Sequence, residues 1–336
     1  MPEIELVGVL VYSADKAGQD VGAIIGWPDQ GVKATSDQDA IFALKPDCIL
    51  YAAMDFGDYR SDHEIAALLR RGLNVITSLP YQNLDVRDPS VRTLLTQAAE
   101  TGGSTFFSTG VNPGFIVERL ALVATGATSG ISEILVEEFV RIGTEPEETL
   151  NSFGFGHPAT AVIGKSPAAQ IAENYESQFL YYLGEAFGAP IEGLDYSVTT
   201  RSVTVDTAAP TMMLKAGAVA YLAHRWESRS SVPGAPKIIF STHWYMADEV
   251  RPEGLPCEDY YRISIEGRPS LRIGVEMYAS LTDDSRTAPG DTIVPVFYVT
   301  SATMIQAIPA VVDAASGVRA IEPPTNDYWK VNFLAT

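Results

Sequence analysis

The chain reads as an α/β protein: a parallel sheet wound with helices, followed by a second, mixed α+β domain. Three observations point there. Short continuous apolar runs in the first third of the sequence have the character of strands buried on both faces. Amphipathic helical stretches separate them, which implies strand–helix–strand crossovers. Beyond residue 130 the apolar residues alternate with polar ones, as in strands with one solvated face. A length of 336 residues exceeds the usual single domain, so a division into two is the starting expectation.

The first strand is LVGVLV at 6–11, and a short helix is expected at 41–44. Lys45, Pro46 and Asp47 mark a turn into a second strand at 48–53. The helix DHEIAALLRR at 62–71 starts acidic and ends basic, matching its own dipole, and Gly72 stops it. A third strand follows at 74–77. The helix at 89–101 has Pro89 near its start and Gly102 beyond its end. A fourth strand at 104–108 leads into a helix at 116–124. In the second half, 131–140 alternates loosely, and 237–245, 260–266 and 271–279 are expected to be amphipathic strands of an antiparallel sheet. Helices are expected at 168–187 and 299–315.

Composition narrows the function classes. With 42 acidic and 23 basic side chains, the net charge of −19 repels phosphate backbones and argues against nucleic-acid binding. No run of about 20 apolar residues is visible, so no membrane-spanning helix is expected, and the start MPEIE lacks the basic region of a secretory signal. Cys48 and Cys257 are unpatterned and suit a reducing cytoplasm. The four histidines are dispersed, so no dedicated metal site is expected.

Four segments carry a resemblance: ELVGVLVYSADKAGQD at 5–20, TGVNPGF at 109–115, FGFGHP at 153–158 and ATMIQAIPAV at 302–311. Together, and in this order, they resemble the dihydrodipicolinate-reductase-like family, related to 2,4-diaminopentanoate dehydrogenase and the native amine dehydrogenases. No one segment is specific; the set is. The resemblance implies an NAD(P)-dependent oxidoreductase, often a homodimer. It divides the chain into a Rossmann-like dinucleotide-binding domain at 1–125, a mixed α/β substrate and dimerisation domain at 126–298, and a C-terminal helix and tail at 299–336 returning to the first domain.

It also implies a further strand and a Gly-rich turn ahead of residue 1. Such turns seat the pyrophosphate on a helix N-terminus, and no G-x-G-x-x-G stands near the start of this chain. Either that segment is absent from this sequence, or the scaffold has lost dinucleotide binding. The first strand of such a sheet is usually central, so without it two neighbours are expected to keep unpaired edges.

Candidate cofactor residues follow from the strand ends. The acid that binds a ribose 2′-hydroxyl is replaced by Tyr12 and Ser13, with Lys16 nearby. A hydroxyl plus a cation suits a 2′-phosphate, so NADP is expected over NAD; a solvated loop lysine is the plainer alternative. Ala52, Ala53 and Met54, and Thr77 and Ser78, end two strands where small residues let a cofactor approach the backbone. Asn112, Pro113 and Gly114 lead into a helix start whose free N–H groups could hold a carboxamide or an anion. In the resembling family these positions flank the nicotinamide.

The pocket candidates are Leu79, Phe115, Phe153, Phe155 and His157. Alternating rings and glycines could wall an apolar cavity, and His157 could donate a proton, although a structural loop histidine is the more ordinary reading. The resembling amine dehydrogenases carry a glutamate just after the strand that ends here at Thr77. This chain reads Leu79-Pro-Tyr-Gln82 there, which puts amine oxidation in doubt and leaves ketones, enones and lactone-like compounds open. Tyr81 is expected at the surface. Glu137 and Glu138 are neighbours on a strand, so they point to opposite faces; at most one faces a cleft. No catalytic acid or base is assigned.

The leading expectation is hydride transfer between a nicotinamide and a small apolar carbonyl, imine or amine carbon. Dihydrodipicolinate reduction is not expected, because a dicarboxylate wants clustered cations and Arg141, Lys165, Arg201 and Lys215 are isolated. The alternatives are a cofactor-free hydrolase or isomerase, and a non-catalytic small-molecule-binding protein.

Overall fold

The computed structural model describes residues 3–53, 59–162, 167–282 and 295–322. Strand β1 (Val9–Leu10) pairs in parallel with β2 (Ala34–Thr35). Between them lies α1 (Val21–Ile24), capped by the Asp20 carboxylate on the Gly22 N–H. Helix α2 (Gln38–Ala43) is capped in the same way by Asp37 and leads to β3 (Cys48–Tyr51). Then come α3 (Arg60–Arg70), β4 (Asn74–Thr77), α4 (Pro89–Gly102) and β5 (Thr105–Ser108).

The apolar stripe of α3 (Ile65, Ala66, Leu69) meets that of α4 (Val91, Leu95, Ala98, Ala99) over Phe106. The two helix ends touch backbone to backbone: a Cβ at Gly102 would lie 1.9 Å from the Leu69 carbonyl oxygen, so this position accepts glycine alone.

A π-helical turn at Ile116–Ala121 runs into α5 (Leu122–Thr125) and then the long strand β6 (Ser129–Arg141). Helices α6 (Glu147–Phe153) and α7 (Pro167–Ala186) precede β7 (Gly193–Ser202). A short hairpin of β8 (Thr207–Ala208) and β9 (Met213–Leu214) comes next. Strands β10 (Val219–Arg229), β11 (Lys237–Tyr245), β12 (Asp259–Arg268) and β13 (Leu271–Met277) complete a six-stranded sheet of order β13-β12-β6-β11-β10-β7. The three strands expected to be antiparallel, β11, β12 and β13, do alternate in direction, but the sheet is mixed because β6 lies between β11 and β12 and runs parallel to β11. Its inner face (Ile134, Val136, Ile238, Phe240, Ile263) packs on Phe179, Leu180 and Leu183 of α7 and on Ile116 and Val117 of the π-helical turn.

The chain then returns to the first sheet. Helix α8 (Pro295–Val312) buries Met304 and Val311 against Ile76 and Phe107, and β14 (Gly317–Arg319) pairs in parallel with β5. Against expectation, α8 is long and apolar enough to cross a membrane by length and composition, with a mean hydropathy of 1.4; here it packs on β3, β4 and β5.

The first-domain strands form two sheets, not one. Among the described residues β14, β5, β4 and β3 make a four-stranded parallel sheet, and β1 and β2 make a separate pair. Among the described residues β1 and β3 each have a strand neighbour on one side only, and Leu50 on β3 is 40% exposed.

Candidate active site

At the carboxyl end of β5 the chain turns sharply through Gly110–Gly114, with a cis Asn112–Pro113 peptide. Gly114 has φ +132°, and a Cβ there would meet the Gly110 nitrogen at 2.5 Å and its carbonyl oxygen at 2.8 Å, so both conformation and closeness demand glycine. The Gly114 N–H donates to the Glu118 carboxylate at 2.8 Å, and Arg119 donates to the Gly114 carbonyl at 3.2 Å. The turn is therefore held from both sides by the π-helical segment, a geometry frequent at functional sites. Beside it, the Gln82 amide donates to the Pro113 carbonyl at 3.4 Å. The side-chain oxygens of Gln82 and Asn112 are buried with no hydrogen-bond partner among the described residues.

The inner face of the six-stranded sheet meets this turn and brings carboxyl groups with it. Glu138 stands in register with Thr242 of β11 and Tyr261 of β12, so the three side chains share one face. The Trp244 indole donates to one Glu138 oxygen at 3.0 Å, and the Tyr261 hydroxyl donates to the other. Glu138 and Trp244 remain half-exposed, whereas Thr242 and Tyr261 are buried.

Glu176 of α7 and Glu118 are sealed behind this group. Burial pushes the Glu176 carboxyl well above its ordinary value, and the Glu138 and Glu118 carboxylates push it further the same way. Glu118 is raised to about 7 by burial, only partly offset by the Gly114 N–H. Asp259, at the start of β12, is raised to about 6 by burial and by Glu258 and Glu138. One oxygen of Glu118 and one of Glu176 have no hydrogen-bond partner among the described residues, and burial favours the neutral form of both acids.

Glu137 points the other way, as period-two geometry requires. It takes a bidentate pair from Arg262 at 2.6 and 2.8 Å and lies 3.5 Å from His243. Burial opposes its charge, but His243 and Arg262 hold its carboxyl down at about 2. The two neighbouring glutamates thus have separate fates: Glu137 is spent on a structural pair, and Glu138 faces the junction.

The sequence-predicted residues fall into three groups. Asn112, Pro113, Gly114 and Phe115 stand on the turn itself, Ser78 is half-buried at the end of β4, and Phe153 packs its ring 5.6 Å from Trp244. Ser13 and Lys16 are exposed in the loop after β1, where the Ser13 hydroxyl donates to Asp15; Ala52 and Ala53 follow β3. Met54 lies outside the described residues.

The remainder are structural. Thr77 is fully buried, donating to the Tyr51 carbonyl at 2.8 Å and accepting the Leu79 N–H. Leu79 packs in the α3–α4 core and Phe155 in a core with Leu150 and Tyr221, because both are almost completely enclosed. They line no open pocket. His157 is exposed, and its carbonyl accepts the Val219 N–H, so its role in the fold is carried by its backbone. Tyr81 is not at the surface: its hydroxyl binds Ser61 and Asp62, and the Arg87 guanidinium covers its ring at 4.3 Å.

Sequence reasoning missed Glu118, Glu176 and Trp244. Glu118 and Glu176 lie in helices where an acid ordinarily means a solvated face. Glu138 carried a usable signal: it continues the inward series Ile134, Val136 on β6, which places its side chain on the apolar face.

A cavity of 390 Å³ lies on the opposite side of α7, lined by Pro80, Arg87, Asn174, Tyr175 and Gln178. Its volume suits a small ligand, but its principal charges are satisfied by each other, since Arg87 pairs with Asp62 at 2.9 Å.

No family model matches the chain. The chain is 28% identical over 308 residues to an amine dehydrogenase of Streptomyces virginiae, covering 86% of this chain and 82% of that one. Among solved structures, the amine dehydrogenase from Mycobacterium smegmatis superimposes with a TM-score of 0.71 at 18% identity, over 97% of this chain and 90% of that chain. The chain shares with that structure its fold, a Rossmann-type parallel sheet with helices joined to a second, mixed sheet. The chain is thus similar over most of its length to an amine dehydrogenase, a group related to the family that the four sequence segments resemble.

Proposed function

We propose that the protein is an NAD(P)-dependent oxidoreductase acting on a small amine and the corresponding carbonyl compound. The observation that carries this reading is the junction of the Gly110–Gly114 turn with an acid-lined sheet face. The turn lies at the carboxyl end of a parallel strand, where such sheets bind ligands. The face beyond it presents Glu138, Trp244 and Phe153, an anionic and aromatic surface suited to an ammonium with an apolar tail. The similarity to the Streptomyces virginiae amine dehydrogenase supports the same assignment.

The absent acid after Thr77 put amine oxidation in doubt and left neutral substrates open. The half-exposed Glu138 carboxylate on β6 supports the amine reading in its place. A cofactor-free enzyme or a plain binding protein has no comparable support.

The residues fit the nicotinamide end of the cofactor. The buried oxygens of Asn112 and Gln82 beside the turn, without a partner among the described residues, are acceptors for a carboxamide N–H, and glycine at 114 keeps the backbone clear of a side chain. When bound, the nicotinamide would supply the hydride acceptor; the protein's own part is to hold the amine, exclude water and take a proton. Exposed Lys16, beside Ser13, supports NADP over NAD. We further take the outer face of the six-stranded sheet, with half-exposed Tyr260 and Arg262, as the contact for a homodimer.

Calorimetric titration with NADPH and NADH, followed by a panel of primary amines and ketones, tests the reading. Saturable binding with amine-dependent cofactor reduction is expected. Cofactor binding with turnover confined to non-amine substrates would refute the amine assignment, and absence of cofactor binding would refute the oxidoreductase.

A further inference from the structure

We infer that Glu138 is the carboxylate that seats the substrate ammonium and takes a proton from it. The inference rests on the amine reading above and assigns that site a residue. The chain has no acid at the end of β4, so the charge an ammonium requires must come from another element. Four carboxyl groups approach the junction. Glu118 is tied to the Gly114 N–H and fully enclosed, and Glu176 and Asp259 are buried. Glu138 alone of the four is half-exposed.

Its geometry is that of a held but unsaturated acceptor. Each oxygen accepts one hydrogen bond, from Trp244 and from Tyr261, whereas an ionised carboxylate offers about four lone-pair sites. The free pairs are available to an N–H donor. Next to it in register, the Thr242 hydroxyl is fully buried and has no hydrogen-bond partner among the described residues. A buried hydroxyl left without a partner calls for a ligand atom or a water. The Trp244 ring and Phe153 beside it supply an apolar and π-rich wall for a cation and its alkyl group.

In the proton step, one N–H bond of the ammonium breaks with its electron pair staying on nitrogen, and an O–H bond forms on Glu138. The neutral amine then carries the lone pair that hydride loss from its carbon requires. Tyr261 is a positioning residue that fixes one oxygen without touching the substrate, whereas Trp244 holds the other oxygen and also walls the site.

The test uses the full chain and three forms: wild type, Glu138→Gln and Glu138→Asp. Butylammonium binding is measured by calorimetry with 1-butanol as the neutral control, NADPH binding separately, and amine oxidation under saturating cofactor. Wild type is expected to prefer butylammonium. Glu138→Gln should lose that preference and about 10²–10⁴-fold in kcat/KM, with NADPH affinity unchanged. Glu138→Asp, which keeps the charge one methylene further back, should restore the preference and part of the rate. It also carries the test if Glu138→Gln fails to fold, a lost preference in Glu138→Asp then counting against the inference.

Failure of wild type to prefer butylammonium, or an unchanged preference in Glu138→Gln, overturns the inference. Failure of NADPH binding would instead strike the oxidoreductase reading, and the butylammonium comparison would still decide the role of Glu138.

Discussion

Tyr12 and Tyr51 place their hydroxyl groups on the same oxygen of Glu64, at 2.9 and 2.6 Å. Tyr12 lies just beyond β1 and Tyr51 ends β3, so one carboxylate on α3 joins the two sheets of the first domain. No ladder hydrogen bonds connect these sheets among the described residues. Of the two, the Tyr12 bond is the one that reaches the β1–β2 unit; a hydrogen bond to a charged group is worth about 1.5–3 kcal/mol when sheltered from water. The exposure of Tyr12 lowers its share.

Replacing Glu64 by Ala should therefore loosen that unit selectively. Amide hydrogen exchange at Val11 and Ala34, whose N–H groups bond across the unit, is expected to speed up. Exchange in β4 and β5 should change little. Equal acceleration in both sheets would contradict the local role.

The buried pair of Arg87 and Asp62 gives a second prediction. Both side chains are less than 10% exposed, and Asp62 also accepts from Tyr81. Asp62→Ala leaves a guanidinium uncompensated in the interior, and roughly 3–5 kcal/mol of stability should be lost by urea unfolding. A loss below 1 kcal/mol would mean the pair behaves as a surface bridge.

Glu118 predicts an unusual pH dependence. Its carboxyl is raised in the folded protein from the ordinary 4.5 to about 7, chiefly by burial. The native state therefore binds the proton more tightly than the unfolded chain. The stability tied to Glu118 is intact below 4.5 and is lost as pH rises to about 7. Glu118→Gln keeps an oxygen for the Gly114 N–H and removes the titration. It should be more stable than wild type above pH 7, by up to about 3 kcal/mol, and the gain should vanish below pH 4.5. A constant difference across that window would contradict the assignment.

Much of the fold was legible in the sequence, for physical reasons. Continuous apolar runs marked β3, β4 and β5, and Pro89 with Gly102 bounded α4 within a residue. Strand β11 was placed at 237–245 by its β-branched and aromatic residues, although its burial is nearly continuous. Strand β10 escaped because its burial is nearly continuous and gives no period, whereas β7 carried a usable alternation in Leu194, Tyr196 and Val198 that was missed. The parallel pairing of β6 and β11 depends on contacts between residues a hundred positions apart.

Less of the site was legible. The Asn112–Pro113–Gly114 turn announces itself by residue type, since few other sequences tolerate φ of +132°. Glu118 and Glu176 do not, because an acid in a helix reads as solvated until the element packed over it is known. Phe155 and Leu79 misled in the opposite sense: apolar residues beside a turn are as useful to a core as to a pocket.

Gly114→Ala tests the turn. A Cβ there collides with backbone at Gly110 and the residue leaves its favoured region, a strain of about 1–3 kcal/mol before the collision is counted. The variant should fold with reduced stability and bind NADPH more weakly than wild type. Unchanged affinity would separate the turn from the cofactor.

The central claim is that this protein is an NAD(P)-dependent oxidoreductase of amines. It is tested most directly by mixing the full chain with NADP⁺ or NAD⁺ and a series of primary alkylamines and following formation of the reduced cofactor by absorbance. The account predicts amine-dependent reduction with the carbonyl compound and ammonium as products. Reduced cofactor formed equally with the matching alcohols, or none formed although the cofactor binds, would contradict it.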